Sequence, residues 1–431
     1  MILIPYLRGR RELICSWNIF LLGLANYLGV SAWQSGLYWD QFEISRYTQV
    51  SDQTVMIFIS GALLLMVGLC LGYYGRLGRF VEQRQLRWWP RATPVQMLFC
   101  IVAGCVMIVI GGAFLVRIPI VTQVLAMTGQ AIVPVTLMLA LALWIRSPIN
   151  LSYLTVFLLV LAVGLVFSFT FGTSRRPLLA LLAVFPILLY YRWGRHLKRS
   201  TTVIVLLVVA WGCITILGAH SQIRHRQNSG EGRITRAIET VRLLPASITT
   251  PRNLLQTGML GSDATSVSLG LMEIGDQILP KAPLHTVQWL IANPIPRAWW
   301  PDKPEGVGQM LPRDLGQWKY GKVNWGVGIV GQFYYDGGLY IIPIYGFVLG
   351  LMMRWFDRML MDQPDNVFLL GILAGFSAHW VAVPRGEVSL FILQSFTVFL
   401  AALPIYFVSR RLLGSAYATP PLPHPLATTR V

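Results

Sequence analysis

TTVIVLLVVAWGCITILGA (Thr201–Ala219) and NVFLLGILAGFSAHWVAV (Asn366–Val383) contain no Asp, Glu, Lys or Arg. Apolar runs of about 18–20 residues match the hydrocarbon thickness of a bilayer. Outward from these two runs, the same texture covers most of the 431-residue chain, which is 55% hydrophobic and 12% charged. Soluble proteins carry about 25% charged residues. Length alone would suggest two or three soluble domains, but long uninterrupted apolar blocks exclude that arrangement. The fold class is therefore all-α, a polytopic membrane protein.

Ten transmembrane helices are expected, at about 13–32, 54–73, 96–116, 122–145, 151–171, 177–191, 201–219, 326–352, 366–383 and 388–408. Arg8, Arg10 and Arg11 precede the first, but Leu13–Trp33 is long for a signal peptide and has no small-residue cleavage site after it. It reads as a retained span. The domain plan is seven helices over 1–219, a large loop over 220–325, three helices over 326–408, and a tail over 409–431 read as disordered.

Lys and Arg exceed Asp and Glu by 35 to 18, a net charge of +17. In a soluble chain that surplus would suggest nucleic acid; here topology absorbs most of it. With the N-terminus inside, one face collects 18 basic residues and the short loops of the other collect 5. The bias of Lys and Arg toward the cytoplasm then puts both termini inside and the large loop outside. The five cysteines (Cys15, Cys70, Cys100, Cys105, Cys213) all lie in apolar runs, with no disulfide framework and no CxxC site.

Within the loop, Arg233–Leu244 (RITRAIETVRLL) and Ser262–Leu279 have helical patterns. His285–Ala292 (HTVQWLIA) is a short apolar helix, long enough to dip into the interface but not to cross it. Asn293–Glu305 (NPIPRAWWPDKPE) follows, its prolines setting an irregular backbone and its tryptophans suited to headgroup level.

The basic residues that topology does not explain are the informative ones. Arg175 and Arg176 in Gly172–Pro177 (GTSRRP), Arg385 in Val383–Glu387 (VPRGE), and Arg297 and Lys303 in the proline-rich segment all fall on the outer side. Guanidinium groups bind phosphate bidentately and keep their charge. Alternatively, such residues pair with loop acids or serve as interfacial anchors. Val323–Gly338 (VNWGVGIVGQFYYDGG) is glycine-rich, and its Asp336 is costly in hydrocarbon without a polar cavity or a partner. Glu387 is either a candidate acid–base group or an ion-pair partner of Arg385. No P-loop, GxGxxG, DxD or HExxH motif occurs, and the six histidines show no ligand spacing. No metal and no cofactor is expected.

Four segments together carry a family resemblance: IPRAWWPDKP (Ile295–Pro304), GTSRRP, NWGVGIVGQFYYDGG and PRGE. Taken together they resemble the O-antigen polymerase (Wzy-type) family, the oligosaccharide repeat-unit polymerases of bacterial envelopes. One departure is the amide Gln332, where related sequences often carry an acid. The resemblance implies a GT-C-like membrane glycosyltransferase. Its substrates would be undecaprenyl-diphosphate-linked oligosaccharides, joined into a surface polysaccharide or exopolysaccharide at the outer face of the membrane. A chain-length regulator of the polysaccharide copolymerase type is the implied partner, with the lipid bilayer, and no nucleic acid. Arg175, Arg176, Arg297, Lys303 and Arg385 would bind the diphosphate. The base would come from Asp336, Glu387 or Glu273, with Asp276 and Asp302 as further acids. Two other readings share these features: a ligase moving glycan from the same carrier, and a transporter of anionic lipid or solute. Against the transporter, seven spans precede the loop and three follow, without repeat symmetry.

Overall fold

In the computed structural model, the residues described are 2, 6–7, 12–77, 92–113, 119–171, 175–225, 242, 263–279, 282–295, 297, 299–316 and 324–413. The helix expected over Arg233–Leu244 (apart from Arg242), the Gly172–Ser174 part of GTSRRP and the tail beyond 413 lie outside them. Among the described residues regular structure is helical, with no strand, and eight helical stretches are long and apolar enough to cross a membrane.

The chain begins with α1 (Ser16–Leu24), which runs through a π-helical turn, Ala25–Val30, into α2 (Ser31–Tyr38). Then come α3 (Asp52–Tyr74), α4 (Pro94–Ala113), α5 (Pro119–Arg146), α6 (Leu151–Phe171), α7 (Arg176–Leu189) and α8 (Arg199–His225). The loop contributes α9 (Ala264–Ile278), α10 (His285–Ala292) and α11 (Val307–Asp314). The chain closes with α12 (Ile329–Gly337), α13 (Ile341–Asp362), α14 (Val367–Ala382) and α15 (Val388–Leu413). Side-chain caps fix several starts. Ser51 caps α3 through Thr54 N–H, and Asn366 caps α14 through Phe368 and Leu369 N–H. Thr93 and Gln96 cap α4 reciprocally.

The two runs that reveal the fold class have opposite fates. Asn366–Val383 becomes α14, the hub of the bundle, packed by α1, α5, α7 and α15 and buried along nearly its whole length. Thr201–Ala219 lies in α8 at the periphery, where Ile204, Leu207 and Val208 are more than 60% exposed. An apolar surface of that kind needs lipid rather than water around it.

The tightest pair is α3 with α13. Gly68 and Gly72 on one helix meet Gly346 and Gly350 on the other, so the backbones touch. A methyl added at Gly346 would lie 2.8 Å from the Leu65 carbonyl oxygen. Small residues four apart on both partners permit this approach.

The expected eighth span, 326–352, does not form as one helix. The apolar run Ile329–Asp362 breaks at Gly338, which has a left-handed φ of 69°. α12 then folds back along α13: the Phe333 and Tyr345 ring centroids are 4.7 Å apart. In a continuous helix residues 12 apart would sit about 18 Å apart. A single helix over the whole run would also far exceed a bilayer core of about 30 Å. The glycine pair therefore makes a helical hairpin, with α13 as the long arm and α12 as the short one.

Candidate functional site

α12, α9 and the turn between α14 and α15 meet at one end of the bundle, which we call the loop end. The turn Val383–Glu387 is held mainly by backbone. Gly328 N–H donates to the Arg385 carbonyl at 2.7 Å, and a methyl on Gly386 would fall 2.9 Å from Gly328 N. Gly326 packs under the Arg385 side chain, where an added methyl would lie 2.7 Å from Cγ. Ser268 on α9 donates to the Val327 carbonyl at 2.7 Å. Two segments distant in sequence, NWGVG and PRGE, are thus stitched together, and their glycines are the residues that allow it.

Glu387 sits at the centre of this junction. It is 6% exposed and adopts φ 57°. A non-glycine residue there costs about 1–2 kcal/mol. Its carboxylate lies against Gly306 and Gly308 at the start of α11, and the Asn324 side chain hydrogen-bonds to it. Its Oε1 has no hydrogen-bond partner among the described residues. Burial pushes the Glu387 carboxyl above the ordinary glutamate value of 4.5, against the opposing pull of Asn324 and of the Arg176 and Arg385 charges. The second non-glycine residue with left-handed backbone among those described is Leu284, at φ 58°. It precedes α10 at the same junction.

Arg176 opens α7 with Pro177 in its first turn, a position proline favours. It donates to Gln394 Oε1 at 2.8 Å and lies over the Phe391 ring at 4.9 Å, both on α15. Arg385 is exposed, and its charge acts on both Glu387 and Asp263. Asp263, just ahead of α9, has its carboxyl raised by burial, partly offset by Arg385. Arg175 takes the capping position of α7, its carbonyl accepting from Leu179 N–H at 3.0 Å.

The other expected residues lie around this centre in different roles. Arg297 bridges Glu305 at 3.1 Å and also donates to the Pro301 carbonyl. Arg313 reaches the other Glu305 oxygen at 2.6 Å. Lys303 donates to the carbonyls of Asn293 and Ile295, at 3.1 and 2.9 Å. Burial and the neighbouring Arg297 lower its ammonium pKa. These cations tie the proline-rich segment into a fixed shape, leaving Trp299 and Trp300 exposed at its tip. Glu273 is remote from the turn. It accepts from Ser51 N–H and Oγ at 3.0 and 2.9 Å, bonds that with Thr54 pull its carboxyl below the ordinary value. Asp276 and Asp302 are exposed.

Asp336 is 2% exposed. Its Oδ2 accepts from Thr286 N–H and the Tyr345 hydroxyl, each at 2.9 Å, and its Oδ1 has no partner among the described residues. Gln332 links it to the Glu387 turn. Its Nε2 donates to Thr286 Oγ1 at 3.1 Å, and its Oε1 accepts from Val388 N–H at 3.0 Å. An amide can do both, whereas a carboxylate at 332 could not donate. Ser389 donates to the Thr286 carbonyl, so α10 is fastened to both α12 and α15.

The structure thus gathers Arg176, Arg385 and Glu387 around one turn, with Asp336 one hydrogen-bonded relay away. Arg297 and Lys303 shape the rim, and Glu273 caps a helix elsewhere. Sequence reading alone missed Asp263, Asn324 and Gln394. For Gln394 a signal existed: an amide in a membrane helix, seven residues past Glu387 and so on nearly the same face. Among the described residues, no group of three or more His, Cys, Asp or Glu side chains is placed to hold a metal ion. Comparison with known protein families, with characterised proteins and with solved structures found no match to this chain.

Proposed function

We propose that this protein is a membrane glycosyltransferase that polymerises oligosaccharide repeat units carried on undecaprenyl diphosphate, with the loop end facing outward and ten spans crossing the inner membrane. One observation carries the reading. A buried, under-bonded glutamate in a costly left-handed backbone sits between two arginines at the ends of membrane helices. Residues held at such cost cluster at functional sites, and the exposed Trp299 and Trp300 of the proline-rich segment suit the headgroup level.

The chemistry follows from those groups. An acceptor-sugar hydroxyl attacks the anomeric carbon of the donor glycan, a C–O bond forms, and the bond to the carrier's diphosphate breaks. The hydroxyl proton passes to Glu387, whose raised pKa suits a base that must also release it. The electron pair leaves with the diphosphate oxygen, and Arg176 and Arg385 offset that charge. A single displacement of this kind inverts the anomeric centre. Asp336, through Thr286 and Gln332, holds the turn in register.

The test is polymer length. Arg176→Ala and Arg385→Ala should each abolish long-chain glycan in cells while the protein stays in the membrane at normal level. Chain length unchanged in both variants would overturn the assignment. Single repeat units accumulating on the carrier distinguish a lost polymerase from a lost ligase, which leaves finished polymer there.

A further inference from the structure

Beside Arg176 the bundle holds a half-open cavity of about 200 Å³, walled by α5, α7, α14 and α15. It has the volume of about six to seven waters at ~30 Å³ each, the scale of one sugar ring. Its lining is partly polar, with contributions from three helices. The side chains of Gln130, His379 and Gln394 line it, with the Arg176 guanidinium at the rim. The Nδ1 of His379 is buried and has no hydrogen-bond partner among the described residues. Pro134, inside α5, has no N–H to give the Gln130 carbonyl four residues back. The remaining wall is apolar, with Ala131, Ala180 and Val398.

Polar groups left unmet inside a membrane protein are costly unless a polar guest meets them. The guest must also lie flat on an aliphatic wall. A pyranose ring has both surfaces, hydroxyls at its edge and C–H groups on its face. Arg176 joins this cavity to the Glu387 turn. We propose that the cavity is a subsite for a single sugar ring, the one attached to the lipid diphosphate, with His379 and Gln130 hydrogen-bonding its hydroxyls. This rests on the lipid-linked-glycan reading and adds the recognition of the first sugar to it.

The experiment measures the affinity of the purified full-length protein in nanodiscs for two probes: polyprenyl diphosphate bearing one sugar, and bare polyprenyl diphosphate. The wild-type protein should prefer the sugar-bearing lipid by about tenfold, the scale of one or two hydrogen bonds. His379→Phe should erase that preference while leaving affinity for the bare lipid unchanged, and His379→Asn should restore part of it. Should His379→Phe also lose the bare lipid, through misfolding, Gln130→Leu on α5 replaces it and should erase the same preference. Equal wild-type affinity for both probes, or a preference that survives both cavity variants, overturns the subsite alone. Failure to bind either probe overturns the functional reading and the subsite with it.

Discussion

Two buried carboxylates at opposite ends of the bundle differ in how fully their oxygens are bonded. At the far end, Asp357 on α13 accepts from Ser16 N–H at 2.6 Å, Trp17 N–H at 3.1 Å and the Tyr73 hydroxyl at 2.9 Å. It therefore caps α1 from another helix, and Trp17 stacks on Tyr73 at 4.3 Å to seal it. Asp357 is 1% exposed. At the loop end, Glu387 is nearly as buried but keeps one oxygen unbonded, in a backbone conformation that glycine would hold more cheaply. Burial is common to both; satisfaction is not. A carboxylate with all its donors is spent on holding helices, and one kept short of donors retains the capacity to take a proton.

Opposite responses at the two sites would sustain that contrast, and similar ones would break it. The largest expected effect is at Glu387. Glu387→Gln should cut glycan transfer about 10²- to 10⁴-fold, the range of a lost general base, with thermal stability unchanged. Parallel loss of melting temperature would make Glu387 structural. Glu387→Gly should be equally inactive but more stable by about 1 kcal/mol as the backbone strain is released. Next, Asp357→Ala should lower unfolding stability by roughly 2–4 kcal/mol, since it leaves buried donors unmet, yet folded protein should transfer glycan at a normal rate. Gly72→Leu, which forces α3 away from α13, should cost about 1–3 kcal/mol by overpacking, read as a lower melting temperature in detergent.

The pH profile sharpens the comparison further. Because the folded Glu387 pKa is raised, the base form is lost as pH falls through a value above 4.5, so the acid limb of the rate profile should lie above that value. Arg385→Ala removes a charge that favours the ionised form, so the acid limb of its residual transfer rate in vitro should lie higher still; a downward move would exclude Arg385 as a neighbour of the base. The smallest effect belongs to Glu273, a half-exposed cap with a lowered pKa. Its contribution is present above the ordinary value of 4.5 and fades as pH falls through the lower folded value. Glu273→Gln should change stability by less than about 1 kcal/mol at neutral pH.

Much of the fold was legible in the chain because the bilayer imposes one strong rule, that apolar runs must match its thickness. That rule locates α3, α8, α14 and α15 within a few residues. It failed at Ile329–Asp362, since hydropathy is blind to where a helix turns back; the two adjacent glycines were the mark of the break, and only tertiary contact with α13 fixes its direction. The arginine-bearing segments stood out as cations that the expected topology does not call for. How they divide was not legible. Whether a guanidinium meets a carboxylate eight residues on, as Arg297 meets Glu305, or stays beside Glu387, as Arg385 does, depends on packing between segments far apart in the chain. Asp263 was invisible for the same reason: nothing local marks an aspartate whose partner lies more than a hundred residues away.

Because the turn that presents Arg385 and Glu387 is clasped chiefly through main-chain atoms and bare glycines, its two side chains are not what holds it in position. Such a mount resembles a tool holder more than a tool. Other residue pairs could be seated on the same clasp with little disturbance of the surrounding helices, which makes this short loop tolerant of exchange at both positions.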